Sequence, residues 1–174
     1  MKDYSVLTKE EKDMLVQKAR EAGYQYENRY GNCPQCTLAA LSDVFPDLGI
    51  DDKLFKALYC LGGGVARTTQ GTCGALSAAA AAVSLVLGRE RQNMEEEPHD
   101  CMKVAEKVFD RFVEKYGGPR CCDVQTALFG RNHVFIEDGE TEAYFEAGGH
   151  NKCGHVVEDT AGWVAELIVS GEVR

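Results

Sequence analysis

The stretch Cys73-Gly74-Ala75-Leu76-Ser77, running on into Ala78-Ala79-Ala80-Ala81-Ala82-Val83-Ser84-Leu85-Val86-Leu87-Gly88, decides the fold class. Gly74 to Gly88 is uncharged and falls short of the ~20 residues needed to cross a bilayer, so it reads as a buried helix. Its small apolar residues let other helices pack close on every side, which predicts that it is the central helix of the fold. Upstream lies a loop, Val65 to Thr72, preceded by the breaker Gly62-Gly63-Gly64. Before that breaker Asp51 and Asp52 can cap a helix carrying Leu54, Phe55, Leu58 and Leu61. Pro34 suits the first turn of another helix, with Leu38, Ala39, Leu41 and Val44 on its apolar face and Pro46 as its stop. Thr8 with Glu11 forms a capping-box pattern ahead of Met14, Leu15, Ala19 and Ala22, and Gly23 is expected to end that first helix.

The downstream half reads the same way. A charged linker, Arg89 to Glu97, gives way at Pro98 to an amphipathic helix through Val104, Val108, Phe109 and Phe112 that stops at Tyr116-Gly117-Gly118. Cys121 to Phe129 is a short helical segment, and Asp138, Glu140 and Glu142 can open another, closed by Gly148-Gly149. Asn132 to Asp138 is read as loop in preference to a hairpin. The last helix is expected from about Cys153 through Val156, Val157, Ala161, Val164 and Ile168. The sum is an all-α, single-domain bundle of six or seven helices spanning residues 1–174, with cysteines at helix N-termini.

A chain of 174 residues can bury a core without covalent staples, so its eight cysteines need another explanation. The start, Met1 to Glu10, has no apolar h-region and no cleavage site, and a reducing cytoplasm is the expected compartment. There, thiols persist as catalytic, sensing or metal-binding groups. A net charge of −9 with no basic cluster argues against nucleic acid and against an anionic membrane surface. The expected partners are a redox protein and, in a homodimer, a second copy of the chain.

Four of the cysteines, Cys33, Cys73, Cys121 and Cys153, fall where a helix is predicted to begin. Unpaired N–H groups in a first helical turn carry partial positive charge, which favours a thiolate placed there. Four such sulfurs can hold one metal centre or exchange electrons as disulfides. An iron–sulfur cluster needs four soft anionic ligands and donors to its sulfides, which helix N-termini and the Gly-rich loop with Gly71 and Gly74 can provide. Arg67, in the same loop, can offset the cluster's negative charge. Zinc competes, with His155 able to replace one thiolate, but Cys33-Pro34-Gln35-Cys36 is the single CxxC spacing, half of what a zinc ribbon uses. That CxxC also suits a dithiol in which Cys33 attacks and Cys36 resolves, although Cys36 is more simply read as packing inward. Cys60 and Cys101 read as structural. No c-type haem attachment sequence follows Cys36, and no Walker loop follows the glycines at 62 to 64.

Asn32-Cys33, then Gly71-Thr72-Cys73-Gly74-Ala75, then Cys121-Cys122-Asp123-Val124, then Lys152-Cys153 together resemble the redox-active C_GCAxxG_C_C family over roughly residues 30 to 168. The resemblance implies a small helical protein that uses four cysteines for redox chemistry or metal. A similar cysteine pattern occurs in the amino-terminal part of split-Soret cytochromes, where an iron–sulfur centre is suspected. The family pattern selects Cys121 over Cys122. Thr72 and Ser77 stand where the family motif has glycines. The expected function is electron transfer or sensing through an iron–sulfur cluster, with a metal-free thiol–disulfide oxidoreductase or a structural zinc protein as alternatives.

Overall fold

Eight α-helices form where the sequence punctuates itself with caps, prolines and glycines. The computed structural model describes residues 1–174, and the helices are α1 (Lys9–Tyr30), α2 (Cys33–Val44), α3 (Asp52–Ala57), α4 (Gly74–Leu87), α5 (His99–Tyr116), α6 (Cys121–Phe129), α7 (Glu140–Glu146) and α8 (Gly149–Ser170). There are no strands, only an isolated bridge between Thr72 and Arg120. The segment 132–138 is turn and loop, not a hairpin. The expected capping box is present: the Thr8 N–H donates to the Glu11 carboxylate at 2.9 Å and the Glu11 N–H donates to Thr8 Oγ1 at 3.3 Å. Asp51 caps α3 through the N–H groups of Lys53 and Leu54.

Three boundaries and one role differ from the sequence reading, the first being that α3 stops at Ala57 and Leu61 falls in a separate 3-10 turn, Tyr59–Leu61. Gly23 does not end α1, which continues to Tyr30. A Cβ at Gly23 would lie 3.1 Å from the Val157 carbonyl oxygen, so this glycine is used for close helix packing and not as a stop. The last helix begins at Gly149, four residues ahead of Cys153, because the helix that follows Gly148 starts without needing a side-chain cap. The central helix is α8 and not α4: 14 of its 22 residues are buried, against seven of 14 in α4. The small residues of α4 give it a narrow girth, whereas the greater length of α8 lets it touch α1, α2, α4, α5 and α7 along one axis.

Contacts between α1 and α8 run in reverse order along the two helices, Tyr24 against Gly154, Gly23 against Val157 and Arg20 against Gly162, so the pair is antiparallel. The apolar core lies between this pair and α2, α4 and α5, with Phe45, Phe112, Leu38, Leu41 and Ile168 among its fully buried side chains. Burial of this kind contributes about 25 cal/mol per Å² of apolar surface removed from water. At one end of the bundle the starts of α2, α4 and α6 meet the turn that runs from Gly62 to Gly71. No helix is long and apolar enough to cross a membrane.

Candidate functional site

The walls of the site are built by unusual backbone. Gly63, Gly64, Val65, Ala66 and Arg67 are consecutive residues at positive φ, between 52° and 70°, and Thr69 follows at 64°. A left-handed turn costs L-residues roughly 1–2 kcal/mol each, and a β-branched residue such as Val65 is rare there. Hydrogen bonds within the segment hold the turn: the Arg67 N–H donates to the Gly62 carbonyl at 3.2 Å and the Thr69 N–H to the Gly63 carbonyl at 2.9 Å. The turn is then stitched to the start of α6, with the Cys121 N–H donating to the Gly71 carbonyl at 3.0 Å and the Cys122 N–H to the Thr69 carbonyl at 2.9 Å. The Cys73 N–H donates to the Pro119 carbonyl at 2.8 Å, completing a short antiparallel staple around the Thr72–Arg120 bridge. This staple sets the starts of α4 and α6 side by side.

Beneath the turn is a cavity of about 480 Å³ whose walls include Cys33, Cys121 and Cys153. Cys73 is buried directly behind, paired with Cys33. Cys33 is the first residue of α2, Cys73 caps α4 and Cys121 is the first residue of α6. Cys153 departs from the expectation of a helix start: it lies past the first turn of α8, so no free N–H groups of its own helix surround it. The structure nevertheless brings it to the cavity, one helical turn beyond Gly149.

The electrostatics also differ from a simple rule of acidic thiols at helix starts. Cys33 alone is held below the ordinary thiol value, first by hydrogen bonding with the Cys73 thiol and then by the backbone N–H groups of Gly63, Ala75 and Gly74, which together outweigh its burial. Two of those donors open α4, so the helix that stabilises a Cys33 thiolate is its neighbour and not its own. Gly74 makes this approach possible, since a Cβ there would lie 2.7 Å from Cys33 Sγ and also strike Pro34. Gly74 thus supplies close approach in a motif that carries Thr72 and Ser77 in place of glycines. Gly71 packs equally tightly, a Cβ there lying 2.8 Å from the Gly64 carbonyl oxygen. Neither glycine lines the cavity.

The other three thiols are pushed up. Cys73 is raised by its hydrogen bond with Cys33 and by burial. Cys121 is raised to about 12, chiefly by burial and then by the Cys33 charge, against a 3.6 Å contact from the Gln125 amide. Cys153 is raised by burial, partly opposed by the Tyr144 hydroxyl. A helix start therefore lowers a thiol's pKa only where its N–H groups reach the sulfur and desolvation does not prevail.

Of the remaining cysteines, Cys36 is buried and its thiol donates to the Gly31 carbonyl at 2.8 Å. Cys101 is buried beside Ser84. Cys60 is exposed at the cavity rim, and Cys122 is turned toward Asp123. Arg67 lines the cavity, its guanidinium donating to Thr141 Oγ1 at 2.9 Å and lying 5.3 Å from the Phe135 ring centroid. His155 is exposed on α8, its Nδ1 2.7 Å from the Glu158 carboxylate.

Two wall residues escaped sequence reading. Glu27 is 4 % exposed, its Oε2 has no partner, and burial followed by the Cys33 charge holds its carboxyl well above the usual carboxylate range. Its signal was present as spacing: Ala19, Gly23 and Glu27 recur every four residues on the buried face of α1. Tyr144, which places its hydroxyl at Cys153, is buried on the seven-residue α7 and had no comparable signal.

No group of three or more His, Cys, Asp or Glu side chains is gathered around a common point as a single-ion site. In chemistry, the four thiols are a soft donor set of the kind that clusters use. The sequence model of a family described as "Putative redox-active protein (C_GCAxxG_C_C)" matches residues 31–167, a span that holds all four of Cys33, Cys73, Cys121 and Cys153. No curated protein and no solved structure matches the chain.

Proposed function

Because the chain belongs to the C_GCAxxG_C_C family, we propose that its cysteine-walled cavity is a redox centre, and that Cys33, Cys73, Cys121 and Cys153 hold an iron–sulfur cluster used for electron transfer or sensing. The observation that carries this reading is the convergence of Cys33, Cys121 and Cys153 on one cavity, with Cys73 against Cys33, from four helices far apart in sequence. A single tetrahedral zinc ion would need sulfurs within ~3.8 Å of one another, given Zn–S bonds of about 2.3 Å. No such single-ion grouping is present, and the N–H donors of Gly63, Gly74 and Ala75 around the Cys33 sulfur are of the kind a cluster uses. A bound cluster supplies one-electron transfer at a potential set by charge, hydrogen bonds and burial. The chain's own groups contribute the rest: the α4 N–H groups and Gly63 donate toward the Cys33 sulfur, Tyr144 donates toward Cys153, and Gln125 toward Cys121.

The test is absorption spectroscopy with iron and sulfide analysis of anaerobically purified protein. Ser at position 33, 73, 121 or 153 is expected to abolish most bound iron, whereas Cys60→Ser and Cys101→Ser retain it. Equal loss across all six variants overturns the assignment.

The Cys33–Cys73 pairing favours a second reading, a metal-free thiol–disulfide exchange centre. In it the Cys33 thiolate attacks a substrate disulfide and expels one thiolate. Cys73 then attacks the Cys33 sulfur, releasing the second thiol and leaving a Cys33–Cys73 disulfide. The substrate gains the two electrons and two protons that the dithiol loses. The resolving residue is Cys73 rather than Cys36, so iron-free Cys73→Ser should trap a mixed disulfide at Cys33 and Cys36→Ser should not.

A further inference from the structure

We propose that the outer part of this cavity is a binding site for a planar organic anion. The inference rests on the reading of the cavity as a redox centre and names the class of small molecule that would meet the centre there. At about 480 Å³ the cavity falls within the roughly 300–1,000 Å³ typical of small-molecule sites. Its rim carries three rings that face solvent: Tyr30 at 64 %, Tyr59 at 61 % and Phe145 at 50 % exposure. Scattered rings on a surface need no explanation, but three around one opening form a flat apolar border suited to a planar body.

The charge at this border is equally specific. Arg67 is the sole Lys or Arg on the cavity wall. Arg20, Arg111, Arg120 and Arg131 are each engaged by a carboxylate; of the arginines that are not, Arg67 is the one on this cavity. In a chain of net charge −9, this guanidinium is left without an anion yet held in place from two sides, by the Thr141 hydroxyl and the Phe135 ring. A fixed guanidinium with free donors is the group that binds carboxylate, sulfonate or phosphate. On the same wall, Asn32 Oδ1 is buried and unpartnered, its own amide nitrogen being spent on the Tyr59 carbonyl at 3.1 Å. A buried acceptor without a partner costs stability, and a ligand N–H or O–H would remove that cost.

Calorimetric titration of the full chain with naphthalene-2-sulfonate tests the site, alongside inorganic sulfate and 2-naphthol as an anion without a planar body and a planar body without a full charge. Saturable one-to-one binding of the sulfonate is expected, with sulfate silent and 2-naphthol at least tenfold weaker. Arg67→Gln should weaken the sulfonate at least tenfold, Phe145→Ala about threefold, and Arg131→Gln not at all. Absence of saturable sulfonate binding overturns the inference, as does an affinity indifferent to both Arg67→Gln and Phe145→Ala. Should Arg67→Gln disturb the left-handed turn and unfold, Phe145→Ala alone decides, and an unchanged affinity is fatal. Iron, sulfide and thiol content measured on the same preparations separates the two proposals. Failed binding in iron-loaded protein removes the ligand site and leaves the redox centre standing, whereas intact binding in protein with neither iron nor exchangeable thiols does the opposite.

Discussion

Two turns of α1 separate Arg20 from Glu27, and the two ends of that interval treat a buried charge in opposite ways. Arg20 meets Asp159 at 3.3 Å and Glu166 at 2.9 Å, and Asp159 also receives the Tyr116 hydroxyl and Lys115, each at 2.5 Å. Every group in that network has a partner, as a region whose work is stability requires. Glu27 faces the cysteine cavity with Oε2 unpartnered, beside a left-handed turn that includes Val65, Ala66 and Arg67. Unpaired polarity and backbone strain are both unfavourable to folding, and a fold retains them where chemistry uses them. The α1–α8 contact stabilises the bundle, and the cavity spends some of that stability.

The sharpest way to break this comparison is Asp159→Ala. It leaves Arg20 with Glu166 alone and takes the carboxylate from Lys115 and the buried Tyr116 hydroxyl, and removing one partner of a largely buried ionic network costs about 3 kcal/mol. A urea unfolding midpoint that scarcely moves would show that the stable end is not what holds the bundle. Glu27→Gln probes the other end through pH. The folded carboxyl is held well above its ordinary value of 4.5, so over the interval above about pH 4.5 the unfolded chain loses this proton while the folded protein keeps it. The folded state then binds more protons than the unfolded one, and stability contributed by this site declines as pH rises through that interval. Glu27→Gln should flatten that decline, as read from urea unfolding across pH 4 to 8. An unaltered slope would mean that Glu27 is ionised in the folded state. The smallest effect is expected at the turn. Val65→Gly relieves one left-handed β-branched residue and should raise stability by about 1 kcal/mol. A destabilised variant would mean that the Val65 side chain contributes more by packing against Gly71 than its backbone costs.

Much of the fold was legible because helix ends are local. Thr8 with Glu11, Asp51 before α3, Pro34 in the first turn of α2 and Gly117 after α5 each act within four residues of where they stand. Gly23 misled because a glycine can end a helix or admit a neighbouring one, and Val157, which decides between them, lies 134 positions away. The prominence of α4 misled for a related reason: its alanines announce close packing without saying which helix lies on the axis. At the site, the four cysteines stood out by residue type, while Glu27 was hidden by sitting on an otherwise ordinary amphipathic helix and Tyr144 by the brevity of α7.

The sequence by itself determined the helical class, most helix boundaries and the identity of the sulfurs, because periodicity, capping and residue chemistry are properties of short segments. Only the tertiary structure decided which thiol is acidic and which cysteine pairs with which. Cys33 owes its depressed pKa to Cys73, to the first N–H groups of α4 and to Gly63, all brought from at least 30 positions downstream. Cys121 and Cys153 owe theirs first to desolvation by whatever packs over them, and Cys73 to its hydrogen bond with Cys33 and then to burial. A pKa sums over everything within a few ångströms of an atom, and that neighbourhood exists only once the chain has folded.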